Sequence, residues 1–274
     1  MAKGDLVLTP PARGRPAAQG KRRSRAAPSP WLGLVGVVAF LLAWEMLART
    51  ASPLFIVPVA AVPNALKQQA QNGALWTDLL ISLRELGIGF AIALGLGIPL
   101  GIILGWSPLL FAAANPFVTA ANTVPRIALL PLVVIMFGLG IWSKVTIVAL
   151  GAVLPILYNM IEAMRSLDLR LLRMARSFGA GDAALFRTVA LPFAVPFLVS
   201  AIRIAIGRGM TGLITAELVA ATAGLGFRMQ EAATFFHTGI IYAYMVVIAM
   251  IALVLDYAAR LLERRAASWR LQSS

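Results

Sequence analysis

The sequence predicts an all-α membrane protein of about six transmembrane helices, and three observations carry that expectation. Of 274 residues, 60% are apolar and 13% charged, against about 45 to 50% and about 25% in soluble domains. The apolar residues fall in long runs broken by glycine, proline and short charged pieces. They do not fall in the ten-residue alternating segments of an outer-membrane barrel, so helices are favoured. The basic residues gather at three places: seven before the first apolar run (Lys3 to Arg25), five arginines within 164–192, and Arg260, Arg264, Arg265 and Arg270 at the end. The positive-inside bias then puts both termini and the 164–192 segment on the cytoplasmic face. The net charge of +13 is read as topology, and no nucleic-acid partner is expected without aromatic interleaving among the basic residues. With no cysteine and His237 as the single histidine, neither disulfides nor a thiolate or histidine metal site is expected.

Residues 1–30 are rich in Pro, Arg, Ala and Ser without apolar periodicity, which reads as a disordered cytoplasmic tail. The 31–49 run just reaches the roughly 20 residues needed to cross a bilayer. A basic segment before an apolar run also fits a signal peptide, but this run is long and no small-residue cleavage site stands out, so an uncleaved first span is favoured. Residues 51–77 carry Pro53, Pro58 and Pro63 and are expected to be periplasmic, with a short surface helix over 64–72. The second span, 78–106, bears small residues every four positions: Gly89, Ala93, Gly97, Gly101 and Gly105. Such a stripe lets helix backbones approach closely in lipid, and packing is favoured over a role in touching solute. The third, 108–139, is interrupted by Pro116, Pro125 and Pro131 and dotted with Asn115, Asn122, Thr123 and Arg126. A broken, polar helix is tolerated at membrane depth where protein or a watery cavity satisfies it. It is therefore the first candidate for a pathway wall, with Arg126 either functional or snorkelling to an interface.

The fourth span is 141–161, with Lys144 toward its outer end, Pro155 as a kink and Glu162 at its inner end. The fifth, 193–219, carries Arg203, Arg208 and Glu217. Arg208 and Glu217 lie deep enough that each is expected to face the bundle interior with polar partners. Residues 220–238 form an outer loop turning at Gly224-Leu225-Gly226, and His237 is read there as an ordinary interfacial residue. The sixth span, 239–262, ends with Asp256 and Arg260 paired at i, i+4. Residues 78–262 are thus the core, and 263–274 a second cytoplasmic tail.

The 164–192 loop organises the rest. Leu171, Met174, Ala175 and Phe178 follow the i, i+3, i+4, i+7 spacing of a helix with one apolar face, and arginines take much of the other. Gly179 and Gly181 break the pattern where a left-handed cap is wanted, and Asp182 is expected to N-cap a second short helix ending at Leu191 and Pro192. An ordered loop of this kind, between two membrane spans, is suited to being gripped by a cytoplasmic partner.

Gly179, nine residues, then Val189-Ala190-Leu191-Pro192 resembles the "EAA, three residues, Gly, nine residues, Ile, any, Leu-Pro" signature of inner-membrane permeases of ATP-binding-cassette (ABC) importers. The triplet falls on Arg173, Met174 and Ala175, so an arginine stands where the family has its first glutamate. Ser82-Leu83-Arg84, the glycine-rich run to Gly105, and Ala216-Glu217 before Gly224-Leu225-Gly226 resemble the branch that imports nitrate, sulfonates and taurine. The similarity covers roughly residues 53–264. It implies a type I importer permease fold in the bacterial inner membrane. The implied partners are a second permease copy in a homodimer, a cytoplasmic ABC ATPase dimer and a periplasmic solute-binding protein. No cofactor is expected in this chain, since ATP and Mg would sit on the ATPase. ATPase coupling carries over onto Ala175, Gly179, Leu191 and Pro192, with Arg173, Arg176, Phe178 and Arg187 as neighbours. Candidate pathway residues are Asn122, Thr123, Arg126, Arg208, Thr211 and Glu217, and three arginines (Arg126, Arg203, Arg208) would suit an anion such as a sulfonate, nitrate or carboxylate. A neutral pyrimidine or flavin-like solute stays open.

Two other classes of protein would require features that the sequence lacks. An ion-driven transporter or channel using Arg208 and Glu217 should show internal repeats with paired broken helices, and no second copy of any segment is evident. A membrane enzyme lacks a recognisable nucleophile, base and orienting group. The run Gly207-Arg208-Gly209-Met210-Thr211-Gly212 matches a dinucleotide fingerprint in letters only, because no strand precedes it.

Overall fold

The structure, a computed structural model, describes residues 30–52 and 54–267. The tails expected over 1–30 and 263–274 lie largely outside that range. The chain divides into two compact units, the first ending at Ala43 and the second beginning at Trp44. The helices are α1 (Pro30–Thr50), α2 (Ala61–Gln71), α3 (Ala74–Trp106), α4 (Pro108–Thr123), α5 (Leu130–Phe137), α6 (Ile141–Arg165), α7 (Leu169–Ser177), α8 (Asp182–Leu185), α9 (Leu191–Ala220), α10 (Leu225–Thr234) and α11 (Thr238–Ala267). Among the described residues, five helical stretches are long and apolar enough to cross a membrane. The α4 and Arg126–Phe137 segments, bent 89° from each other, make a sixth if they count as one broken span. The all-α architecture is as expected, and the expected count of about six spans is reached with the broken pair taken as one span.

The bundle is held at close quarters by its small residues. Added to Gly101, a Cβ would lie 2.5 Å from the Met160 Cβ; at Gly105 it would lie 2.6 Å from the Met164 Cβ, and at Gly97 2.9 Å from Ile156. The stripe on α3 therefore receives the ridge of α6 with no room to spare, which is how helices gain dispersion energy in lipid. On the other side of α6, Gly151 stands 3.0 Å from the Arg208 carbonyl on α9 by the same measure. Buried Ala93, Ala152, Ile156, Met160, Ala201 and Ala205 fill the core between these three helices.

Local chemistry sets the joints. Ser107 caps α4, accepting from the Leu110 amide at 3.4 Å, with Pro108 following in the first turn, where its missing N–H is harmless. Pro125 and Pro131 bracket a 3₁₀ turn, Arg126–Leu129, at the 89° break. Asp168 caps α7 through the Arg170 amide at 2.7 Å. α7 closes in a Schellman motif: Gly179 has φ +85°, its amide donates to Arg176 O at 2.9 Å, and the Ala180 amide donates to Ala175 O at 3.1 Å.

Two expectations for the loop are corrected. Asp182 is not an N-cap: Gly181 holds that position, and the Asp182 carboxylate instead accepts from Arg176 Nη2 at 3.0 Å. Nor does a separate second helix end at Pro192, because residues 182–220 run as one helical stretch into the membrane. The segment Phe186–Ala190 is π-helical. Pro192 has no N–H to give and its ring crowds the preceding turn, and a widened turn just before it accommodates both without a break.

Candidate functional site

Three polar features stand out from the apolar bundle. The first is a buried network around α3. Asp78, Ser82 and Glu85 share one face of that helix and are each no more than 2% exposed. Asp78 accepts from the Gly224 amide (3.3 Å), Arg228 Nε (3.1 Å) and the Tyr244 hydroxyl (2.9 Å). The Ser82 hydroxyl donates to Glu217 (2.5 Å) and accepts from the Leu225 amide (3.0 Å), while the Gly226 amide donates to the other Glu217 oxygen at 2.8 Å. Glu85 pairs with Lys144, which is 4% exposed. Partial burial alone would lower the Arg228 pKa, but Asp78 and Glu231 outweigh it and hold the guanidinium above the usual arginine range. Five elements are thereby pinned to one another at the end of the bundle away from the 164–192 loop. Sequence reading missed Asp78 and Glu85, although their 4-and-3 spacing around Ser82 puts them on one helical stripe and was a usable signal.

The second feature is a cavity of about 560 Å³ at the 89° break. Asn122, Thr123 and Arg126 line it from the broken span, and Arg203, Arg208 and Thr211 from α9. Five of the six pathway candidates thus come together. Glu217 does not: nine residues beyond Arg208, it falls on the opposite face of α9 at 100° per residue and belongs wholly to the buried network. Arg208, expected to face the bundle interior with polar partners, lines the cavity as an exposed residue. Arg203 is neutralised by Glu263 (2.9 Å) and lies 3.7 Å from Asp256.

The third feature is the loop itself. Leu171, Met174 and Phe178 are 47%, 58% and 86% exposed, an apolar stripe with Arg170, Arg173 and Arg176 around it. Ala175 is half-buried, while Gly179, Arg187, Leu191 and Pro192 are exposed. Behind the stripe lies a second cavity of about 550 Å³ lined by Trp106, Arg165, Leu172, Arg173 and Arg176. The Arg165 guanidinium sits 4.0 Å from the Phe111 ring centroid, and Trp106 meets Phe186 edge-on at 5.9 Å.

A multi-pass helical bundle with an arginine-bearing cavity at a broken helix and an amphipathic helix offered at one end has the architecture expected of a membrane translocation subunit. The sequence profile of the "binding-protein-dependent transport system inner membrane component" family matches residues 97–268. The taurine transport system permease protein TauC of Escherichia coli is 36% identical over 243 residues, covering 86% of this chain and 88% of that one. The riboflavin transport system permease protein RibX of Chloroflexus aurantiacus is 35% identical, covering 88% and 91%. A putative aliphatic sulfonates transport permease protein, SsuC of Bacillus subtilis, is 30% identical, covering 88% of each. Among solved structures, a chain of the inward-facing MetNI methionine ABC transporter superposes with a TM-score of 0.60 at 18% identity, over 70% of this chain and 97% of that one. The chain belongs to the binding-protein-dependent transport system inner membrane component family: it is a multi-pass inner-membrane permease of the ABC importer type, with the type I fold.

Proposed function

We propose that this permease imports a small anion, a sulfonate before a nitrate or carboxylate, and is driven by a separate cytoplasmic ATPase that grips the 164–192 loop. Two copies would enclose the path, a periplasmic binding protein would deliver the solute, and both termini would lie in the cytoplasm. ATP and Mg belong to the ATPase. The observation that carries this reading is the exposed apolar stripe of Leu171, Met174 and Phe178, ringed by arginine and joined by the tight turn at Gly179 to the 182–220 helical stretch that lines the cavity. An apolar patch of this sort on an ordered helix marks a protein contact. Similarity to the taurine and sulfonate permeases supports the anion. Arg208 and Glu217, the pair an ion-coupled carrier would use, lie on opposite faces of α9. Similarity to RibX favours a flavin-like solute as a second reading, and competition between sulfonates and riboflavin in an uptake assay separates the two.

Three variants test the loop. Gly179→Val places a β-branched residue at φ +85° with no neighbour within 4 Å, so its whole effect is backbone strain of about 1 to 2 kcal/mol. That strain should reshape the α7 end and lower binding-protein-stimulated ATP hydrolysis in lipid discs by about tenfold. Gly181→Val is equally unobstructed but sits at φ −74°, where valine is at ease, and should leave hydrolysis nearly unchanged. Equal behaviour of the two variants would count against loop geometry as the coupling element. Phe178→Asp should release the ATPase during co-purification while the permease stays folded. Retention of the ATPase would sink the docking assignment.

A further inference from the structure

We infer that the cavity at the broken helix is itself an oxyanion site, with Arg126 and Arg208 as its two ligands, and that it takes anions without an ammonium group. This rests on the importer reading above and adds the chemical class of solute. Three cationic side chains line the cavity, but they are not equivalent. Arg203 is spoken for by Glu263 at 2.9 Å and by Asp256 at 3.7 Å. Arg126 and Arg208 have no carboxylate within ion-pair distance among the described residues. Arg126 Nη2 reaches only Asn122 Oδ1, at 3.4 Å, and its Nε is buried without a partner. Both guanidinium-bearing residues line the same cavity. Holding two like charges at one cavity is costly unless something anionic offsets them, and a guanidinium fork matches the planar oxygen edge of a sulfonate or carboxylate.

The composition of the wall narrows the class further. Among the described residues no Asp or Glu lines the cavity, and the nearby Asp256 and Glu263 are engaged by Arg203, so an amine on the solute would meet two cations and no free counter-charge. Ile127, Ile147 and Ile204 supply apolar wall instead, suited to a short alkyl tail. The site thus accepts a simple alkanesulfonate and disfavours a zwitterion carrying the same sulfonate.

The test uses the full chain assembled with its ATPase in lipid discs, without binding protein, and equilibrium binding of radiolabelled ethanesulfonate. Saturable binding is expected, with taurine competing at least about tenfold more weakly than unlabelled ethanesulfonate. Arg126→Gln and Arg208→Gln should each weaken binding by about tenfold or more, the usual loss for a charge-assisted hydrogen bond. Arg208→Lys should retain part of the affinity. No saturable binding to the unaltered complex, binding unchanged in both glutamine variants, or taurine competing as well as ethanesulfonate would each overturn the assignment. ATPase co-purification is scored on every sample. Its persistence when the oxyanion site fails leaves the permease reading standing, and its loss from the unaltered chain strikes the permease reading instead.

Discussion

Lys144→Met is expected to destabilise the protein by about 3 to 5 kcal/mol, the usual result of removing one partner of a buried ion pair. Lys144 is 4% exposed and Glu85 2%, so the carboxylate left behind has neither water nor a counter-ion. Glu217 stands in the same network, held by Ser82 and Gly226, but as a second carboxylate it offers no counter-charge. The loss comes from an orphaned charge, not from a missing attraction. Replacing both members by apolar groups should therefore recover most of it. Thermal aggregation in detergent, followed by size exclusion, measures the cycle: Lys144→Met and Glu85→Gln well below the parent, Lys144→Met with Glu85→Leu close to it. If the double variant melts as low as the single ones, the pair contributes specific structure that an apolar substitute cannot supply.

Gly101→Val should be of similar severity. Overpacking ordinarily costs about 1 to 3 kcal/mol, but the usual escape, a rotamer change, is closed here. The new Cβ would meet the Met160 Cβ at 2.5 Å and the Leu157 carbonyl at 2.9 Å, so α3 and α6 would have to separate along their length. Gly95→Val, six residues earlier on the same helix, meets nothing within 4 Å and should melt with the parent. Equal loss in both variants would point to helix propensity, not packing.

Much of this was legible in the sequence because lipid imposes simple rules. Span lengths, the proline break at Pro125 and Pro131, and the left-handed Gly179 follow from steric and solvation demands that act locally. The four-residue spacing of Gly89 to Gly105 also announces which face of α3 must be approached closely. What stayed hidden depends on rotation and on residues far apart in the chain. Glu217 is among the pathway candidates. Its nine-residue offset from Arg208 sets the two on opposite faces of α9, but which of those faces lines the cavity is visible only in the packed bundle. Asp78 meets Gly224 and Tyr244 across separations of 146 and 166 residues, which no local pattern announces. Pro192 read as a stop because proline usually ends a helix; the π-helical segment before it removes the obstacle, and nothing in the residue types foretells that choice.

The unbroken course of residues 182–220 has a mechanical consequence. Arg187 and Arg208 are carried by one rod and stand about 30 Å apart along it, at 1.5 Å per residue. If the rod moves as a rigid body, a tilt of about 10° imposed at the Asp182 end would carry the far end sideways by about 5 Å over that length, with the π-helical Phe186–Ala190 segment, Pro192 and Pro196 as the places where the rod could bend. On the importer reading proposed above, such a rod would serve as a lever that joins a push at the loop to a displacement of the cavity wall.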